Sequence, residues 1–232
     1  MGTARNVMTE NATARSQVYG LLAAIFRAEP TEVFLEEIKG PHFSGVFTEL
    51  GVDLGNEFYD KPEAELLEDL AIEFTRLFIG PGSHISAHES VFINLDGGEG
   101  DHWGPATIAV KKFIETAGLD YEPSYAGLPD HVSVELEFLQ RLAEWEAGKW
   151  SEGDAESAKG CLSVQKKFII EHPIEWVPKF CDEVVKKTEL PFYREMAKLT
   201  KSFLEYERKG IPYSEISSGP APKCAGAPPA SV

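Results

Sequence analysis

The chain has 232 residues, 43% apolar and 26% charged, enough for one sizeable hydrophobic core or two small subdomains sharing one. Thirty-eight acidic against 22 basic residues give a formal net charge of −16, which disfavours nucleic acid and anionic lipid as partners and favours a basic one, or else serves solubility alone. No run approaches the ~18 apolar residues of a membrane-spanning helix, the N-terminus lacks the apolar stretch of a secretory signal, and three cysteines without a CxxC pair argue for reduced thiols in a cytoplasm.

Val18, Leu21, Leu22, Ile25 and Phe26 share one face of a helix predicted over 9–28 and ended by Pro30. Thr31 is placed to cap a short second helix carrying Phe34, Leu35 and Ile38, closed by Gly40-Pro41. Gly45, Gly51 and Gly55 break 42–60 into short helical turns and loop. Pro62 suits a first helical position, and Leu66, Leu67, Leu70, Ala71, Phe74, Leu77 and Phe78 follow at helical spacing. Gly80-Pro81-Gly82 should stop this helix, glycine through a left-handed exit and proline by forbidding continuation. Residues 83–103 show little periodicity, and Asp96 to Gly100 reads as a loop. Pro105 opens a helix with Ile108, Val110, Phe113 and Ile114, and Gly118 is placed to end it.

Pro123, Gly127 and Pro129 make 119–129 the predicted hinge between an N-terminal half, 9–118, and a C-terminal half, 130–210. Asp130 is placed as the N-cap of the next helix. Val132, Leu136, Leu139 and Ala143 form its stripe, with Val134, Phe138, Leu142 and Trp145 beside it. A helix apolar over so much of its circumference should be central in a bundle. Gly148 to Gly153 reads as a second loop. Helices are predicted over 155–170 and 174–187, with Pro173 starting the second and Pro178 kinking it. Pro191 opens the last, which carries Phe192, Met196, Leu199 and Phe203 and stops at Gly210 and Pro212. Residues 211–232, rich in Pro, Ala, Gly and Ser, are expected to be a disordered tail. No strand pattern occurs, so the expected fold is all-α, a single helical bundle of some eight to ten helices.

Three groupings invite chemistry. His84 and His88 are four apart, with His102 nearby, but they follow a helix break and form no HExxH motif, so loop histidines are the default over a metal site. The glycines around 80–82 and 96–100 lack the Gly-Lys-Ser/Thr ending of a phosphate loop. Asp130, His131, Glu135 and Glu137 admit an acid–base reading, yet no nucleophile is tied to them, and helix capping accounts for Asp130. Nothing calls for a cofactor. Phe74, Phe78, Trp103, Phe138, Trp145 and Trp176 read as core, or in part as walls of a groove for a basic-apolar peptide.

EFTRLFIGPG, HESV, LPDHVSVELEFLQRL and FIIEHPIEWVPKF, in that order over about residues 15 to 209, resemble the redox-enzyme maturation chaperones of the TorD, DmsD and NarJ types. The resemblance implies an all-helical, non-enzymatic cytoplasmic chaperone, monomer or dimer. It implies binding of the twin-arginine leader, or the apo form, of a molybdenum-containing oxidoreductase subunit before export. It places the family's Leu-Phe-x-Gly-Pro motif on Leu77, Phe78, Gly80 and Pro81, and its Glu-Ser-Val element on Glu89, Ser90 and Val91. Its Asp-His pair falls on Asp130 and His131, followed by Glu135 and Glu137. Ala87 and His88 stand where many members have proline and an aromatic. The expected leader-binding set is therefore Leu77, Phe78, His88, Glu89, Ser90, Asp130, His131, Glu135 and Phe138, with Asp130, Glu135 and Glu89 as an acidic rim for the arginines. The competing expectation is a helical metal-dependent hydrolase built on His84, His88, Asp130 and His131.

Overall fold

Helix α8 (Val132–Glu152) is the spine of the computed structural model, and α1 (Gly2–Arg27) lies along it for much of its length. Residues 2–93, 104–119 and 127–210 are described. The tail, the Asp96 to Gly100 loop, Trp103, His102 and most of the predicted hinge lie outside them. Every residue from Val132 to Leu139 is buried, so the central position expected of this helix is realised. Its other neighbours are α9 (Ala155–Glu171) and α10 (Pro173–Lys187), and α11 (Pro191–Lys209) pairs with α10. The remaining elements are α2 (Glu32–Lys39), α3 (Pro41–Leu50), α4 (Asn56–Asp60), α5 (Glu63–Phe74), a π-helical turn (Thr75–Ile79), α6 (Glu89–Phe92) and α7 (Pro105–Ala117). The described residues thus hold eleven α-helices, the excess over the expected number coming from α4 and α6, of five and four residues, which are too short to show a period.

Two aromatic clusters fill the core. Phe113 of α7, Phe138 of α8 and Phe168 of α9 meet with ring centroids 4.6 to 6.1 Å apart. Phe78 of the π-turn meets Phe26, Phe74, Phe180 and Tyr193 at 5.0 to 6.2 Å. Offset and edge-on pairs of this kind contribute about 0.5–1.5 kcal/mol each beyond the area they bury. Tyr193 also donates its hydroxyl to the Leu70 carbonyl at 3.0 Å, tying α11 to α5.

Several local expectations need correcting. The predicted loop at 148–153 is helical, because α8 runs through Gly148 and ends only at Gly153, which takes the left-handed conformation at φ 83°. Residues 42–50 form a regular helix despite Gly45, ended by Gly51 at φ 67°. Gly80 makes no left-handed exit: its φ is −59°, and a glycine is suited there because a Cβ would sit 3.2 Å from the Thr75 carbonyl oxygen. Cys181 is a free, buried thiol on α10, and Cys161 is buried on α9.

Candidate functional site

An isolated antiparallel bridge joins His88 to His131. The Glu89 amide donates to the Asp130 carbonyl at 2.9 Å, and the Val132 amide donates to the Ala87 carbonyl at 2.8 Å. Each strand of this bridge feeds straight into a helix, α6 on one side and α8 on the other. Asp130 Oδ2 accepts from the Ser90 amide at 2.9 Å and so serves the first turn of α6. The cap of α8 is instead His131, whose Nδ1 accepts from the Ser133 amide at 3.2 Å and lies 2.7 Å from the Ser133 hydroxyl. The sequence expectation put Asp130 on its own helix; it caps a helix 40 residues earlier because the bridge turns its side chain across the chain.

Beneath the bridge lies a buried polar cluster. The Glu89 carboxylate is 3.0 and 3.2 Å from His172 Nδ1, and Trp176 Nε1 donates to Glu135 Oε2 at 3.1 Å. Burial, then the neighbouring charge of Glu89, pushes the Glu135 carboxyl well above the ordinary carboxylate range, with Asp130 adding and Trp176 opposing. Asp130 Oδ1, Glu135 Oε1 and Ser90 Oγ are buried without a hydrogen-bond partner. A protonated Glu135 relieves this crowding, since three carboxylates sharing one dry site cannot all carry charge cheaply.

That state has a pH signature. Glu135 has a higher pKa in the folded chain than its ordinary value of 4.5, so the stability it contributes is complete below about pH 4.5 and is lost as pH rises through the folded value. Glu135→Gln, which mimics the protonated acid, is expected to remove that loss. Relative to the variant, wild type should fall by up to about 1.4 kcal/mol per pH unit above pH 4.5. Urea titrations of both proteins between pH 5 and 8 measure the difference, and parallel curves would refute the assignment.

The π-turn is tied to the segment that leads into the bridge. The Gly80 amide closes it on the Thr75 carbonyl at 2.7 Å, and the Ile85 amide donates to the Leu77 carbonyl at 2.7 Å. Glu73, buried just before it, accepts from Arg76, the Thr188 hydroxyl and the Glu189 amide at 2.7 to 2.8 Å. Burial works against the Glu73 charge, but those donors more than offset it and hold the carboxyl below its usual range. Inserted π-turns of this kind cluster at functional sites.

The nine expected site residues therefore divide. Glu89, Ser90, Asp130, His131 and Glu135 converge within the bridge and cluster, and His88 sits over them, its ring 4.9 Å from that of His131. Leu77 and Phe138 are core side chains, 1% and 0% exposed. Phe78, His88 and His131 are half-buried. The acidic rim is not a rim: Asp130, Glu89 and Glu135 are 0%, 3% and 0% exposed. Sequence reasoning missed His172 and the hydrogen-bonding role of Trp176. Their i, i+4 spacing at the start of α10, opposite an acid on the buried face of α8, is the signal that was there to be used.

The hydrolase expectation finds no geometry. Asp130 faces Ser90 while His131 faces Ser133, so the two form no aligned acid–base pair. His84 is exposed, and no group of three or more His, Cys, Asp or Glu among the described residues could hold a metal. Residues 47–182 match the nitrate reductase delta subunit family, and the chain belongs to that family. It is similar to the chaperone protein TorD of Vibrio parahaemolyticus, 25% identical over 83% of this chain and 92% of that one. TorD of Aliivibrio fischeri is 22% identical over 88% and 97%. A crystal structure from Archaeoglobus fulgidus, described as a redox enzyme maturation protein, shares the fold with a TM-score of 0.52 at 22% identity, covering 82% of this chain and 93% of that one. The protein is a TorD-like maturation chaperone and not an enzyme. No helix among the described residues is long and apolar enough to cross a membrane.

Proposed function

We propose that this chaperone binds the twin-arginine leader of a molybdenum-containing oxidoreductase subunit in the cytoplasm and holds that subunit back until its cofactor is inserted. The observation that carries the reading is the convergence at the bridge: Glu89 and Ser90 meet Asp130, His131 and Glu135 from some 40 residues away in the chain. The net charge of −16 supports a basic ligand, because a leader presents two guanidinium groups ahead of an apolar helix-forming segment. Phe78, His88 and His131 are the parts of the expected set within reach of a ligand. The buried members, Leu77, Glu89, Ser90, Asp130, Glu135 and Phe138, act by fixing where the π-turn, α6 and α8 stand.

A chaperone must also release its client, so a dissociation constant near micromolar, about −8 kcal/mol, is expected. Fluorescence anisotropy with an Arg-Arg leader peptide and its Lys-Lys counterpart tests the recognition. Binding should be salt-sensitive, and the Lys-Lys peptide should bind about tenfold more weakly, since lysine cannot make the bidentate contact. Equal affinity for both peptides would count against it.

A further inference from the structure

The three most exposed aliphatic side chains among the described residues are Val33 (73%), Ile79 (62%) and Ile72 (60%). Two of them share one continuous helical segment. Ile72 is on α5, Ile79 ends the π-turn that continues it, and Val33 is on α2, which packs against α5. The Thr75 hydroxyl, midway between the two isoleucines, donates to Glu29 Oε1 at 2.6 Å and so fastens the α1–α2 junction to the π-turn. Ile72 and Ile79 are seven residues apart along this one helical segment and both are more than half exposed.

Exposed acids lie around these positions. Glu68 lies one turn before Ile72, and Glu29, Glu32 and Glu36 flank Val33; all four are exposed. None of the four is ion-paired among the described residues. Arg76, between the two isoleucines in the chain, is already engaged by Glu73 at 2.7 Å and lies 3.7 Å from Glu189. The face therefore offers aliphatic contact and unspent negative charge together. That combination fits a helix that is apolar along one side and basic at its N-terminal end.

We infer that the outer face of α2, α5 and the π-turn is the docking surface for the apolar segment of the leader, with Glu29, Glu32, Glu36 and Glu68 receiving its arginines. This rests on the leader-binding reading and assigns that reading a face. It also gives the π-turn a use: the buried side chain of Leu77 anchors it in the core, while the widened turn carries Ile79 outward beside Gly80 and Pro81. The buried cluster at the bridge then serves as the mount of this surface.

The test is leader-peptide anisotropy on the full chain and on two double variants, Ile72→Asp/Ile79→Asp and Glu32→Lys/Glu36→Lys. Both pairs lie at exposed positions, so thermal melting should be nearly unchanged. The first pair should weaken binding by about tenfold or more, and the second should lower both the affinity and its salt dependence. Wild-type affinity in both variants would overturn the surface and leave the leader reading standing. No saturable binding by wild type would overturn both. Should the isoleucine variant melt early, a leader peptide carrying a photo-crosslinker in its apolar segment decides instead: cross-links on α2, α5 or the π-turn support the surface, and cross-links confined to other elements overturn it.

Discussion

Trp176→Ala is expected to cost about 5 kcal/mol, roughly 3–5 from the cavity left by a buried aromatic and a further 1–3 from stranding a buried acceptor. Trp176 is fully buried, with its ring 5.5 Å from Phe92 and 5.8 Å from Phe180, so it clamps α6 onto α10. Its indole N–H donates to Glu135 Oε2 at 3.1 Å, and Glu135 Oε1 is unpartnered even so. Trp176→Phe keeps most of the packing and loses only the donor, so it should cost about 1–3 kcal/mol. A loss of about 5 kcal/mol is a third or more of the stability of an ordinary domain. Urea midpoints of the three proteins at constant pH measure the series. Equal costs for the alanine and phenylalanine variants would mean that the hydrogen bond, and not the clamp, holds the elements together. A cost below about 1 kcal/mol for alanine would show that the site collapses freely around the gap.

The helices were largely legible because their boundaries are written in local chemistry. Thr31 caps α2 through the Phe34 amide, Pro41, Pro105, Pro173 and Pro191 each stand at a first helical position, and Gly118 closes α7 at φ 95°. The central place of α8 followed from its apolar circumference. What local chemistry does not encode is where a side chain turns once two distant segments pair. Asp130 has the residue type and the position of an α8 cap, but the bridge to His88 redirects it to Ser90 and leaves the cap to His131. The left-handed exit expected at Gly80 failed for a related reason. A π-turn inserts an extra residue into the helix, and that residue leaves no trace in a pattern read at a period of 3.6.

Charge was the least legible property. A carboxylate beside an apolar run reads as a solvated rim, and Asp130, Glu89 and Glu135 were assigned that place. The same helix periodicity, applied strictly, puts Glu135 between Val134 and Leu136 on a helix with no exposed side over that stretch. An acid there needs donors, and His172 and Trp176, in a segment already marked by the resemblance, supply them to Glu89 and Glu135. Among the acids that do face solvent, Glu29, Glu32, Glu36 and Glu68 belong to segments that no motif singled out.

His131→Asn should change the acid sensitivity of the fold by about 2–4 kcal/mol. Burial first, and then the nearby His88 and Arg27, lower the His131 pKa from 6.5 to about 3. A histidine depressed in the folded state contributes stability that is fully present above its unfolded value and is lost as pH falls towards the folded one, because the unfolded chain takes up the proton first. The full gap between 6.5 and about 3 would amount to about 4–5 kcal/mol at 1.4 per unit, and the ring is half-buried, so solvent screening trims it. Asparagine does not titrate, and it is a good N-cap, so the variant keeps an acceptor for the Ser133 amide while losing the pH dependence. On acidification from pH 7 to 4, His131→Asn should therefore gain on wild type. Glu135→Gln should lose on wild type over the same range, since Glu135 is raised where His131 is lowered. The opposite signs matter because the two groups sit four residues apart on one helix start. A general loosening of the bridge by either substitution would tilt both curves the same way. Divergence in opposite directions is the outcome expected of a folded bridge that holds a neutral imidazole above a protonated acid.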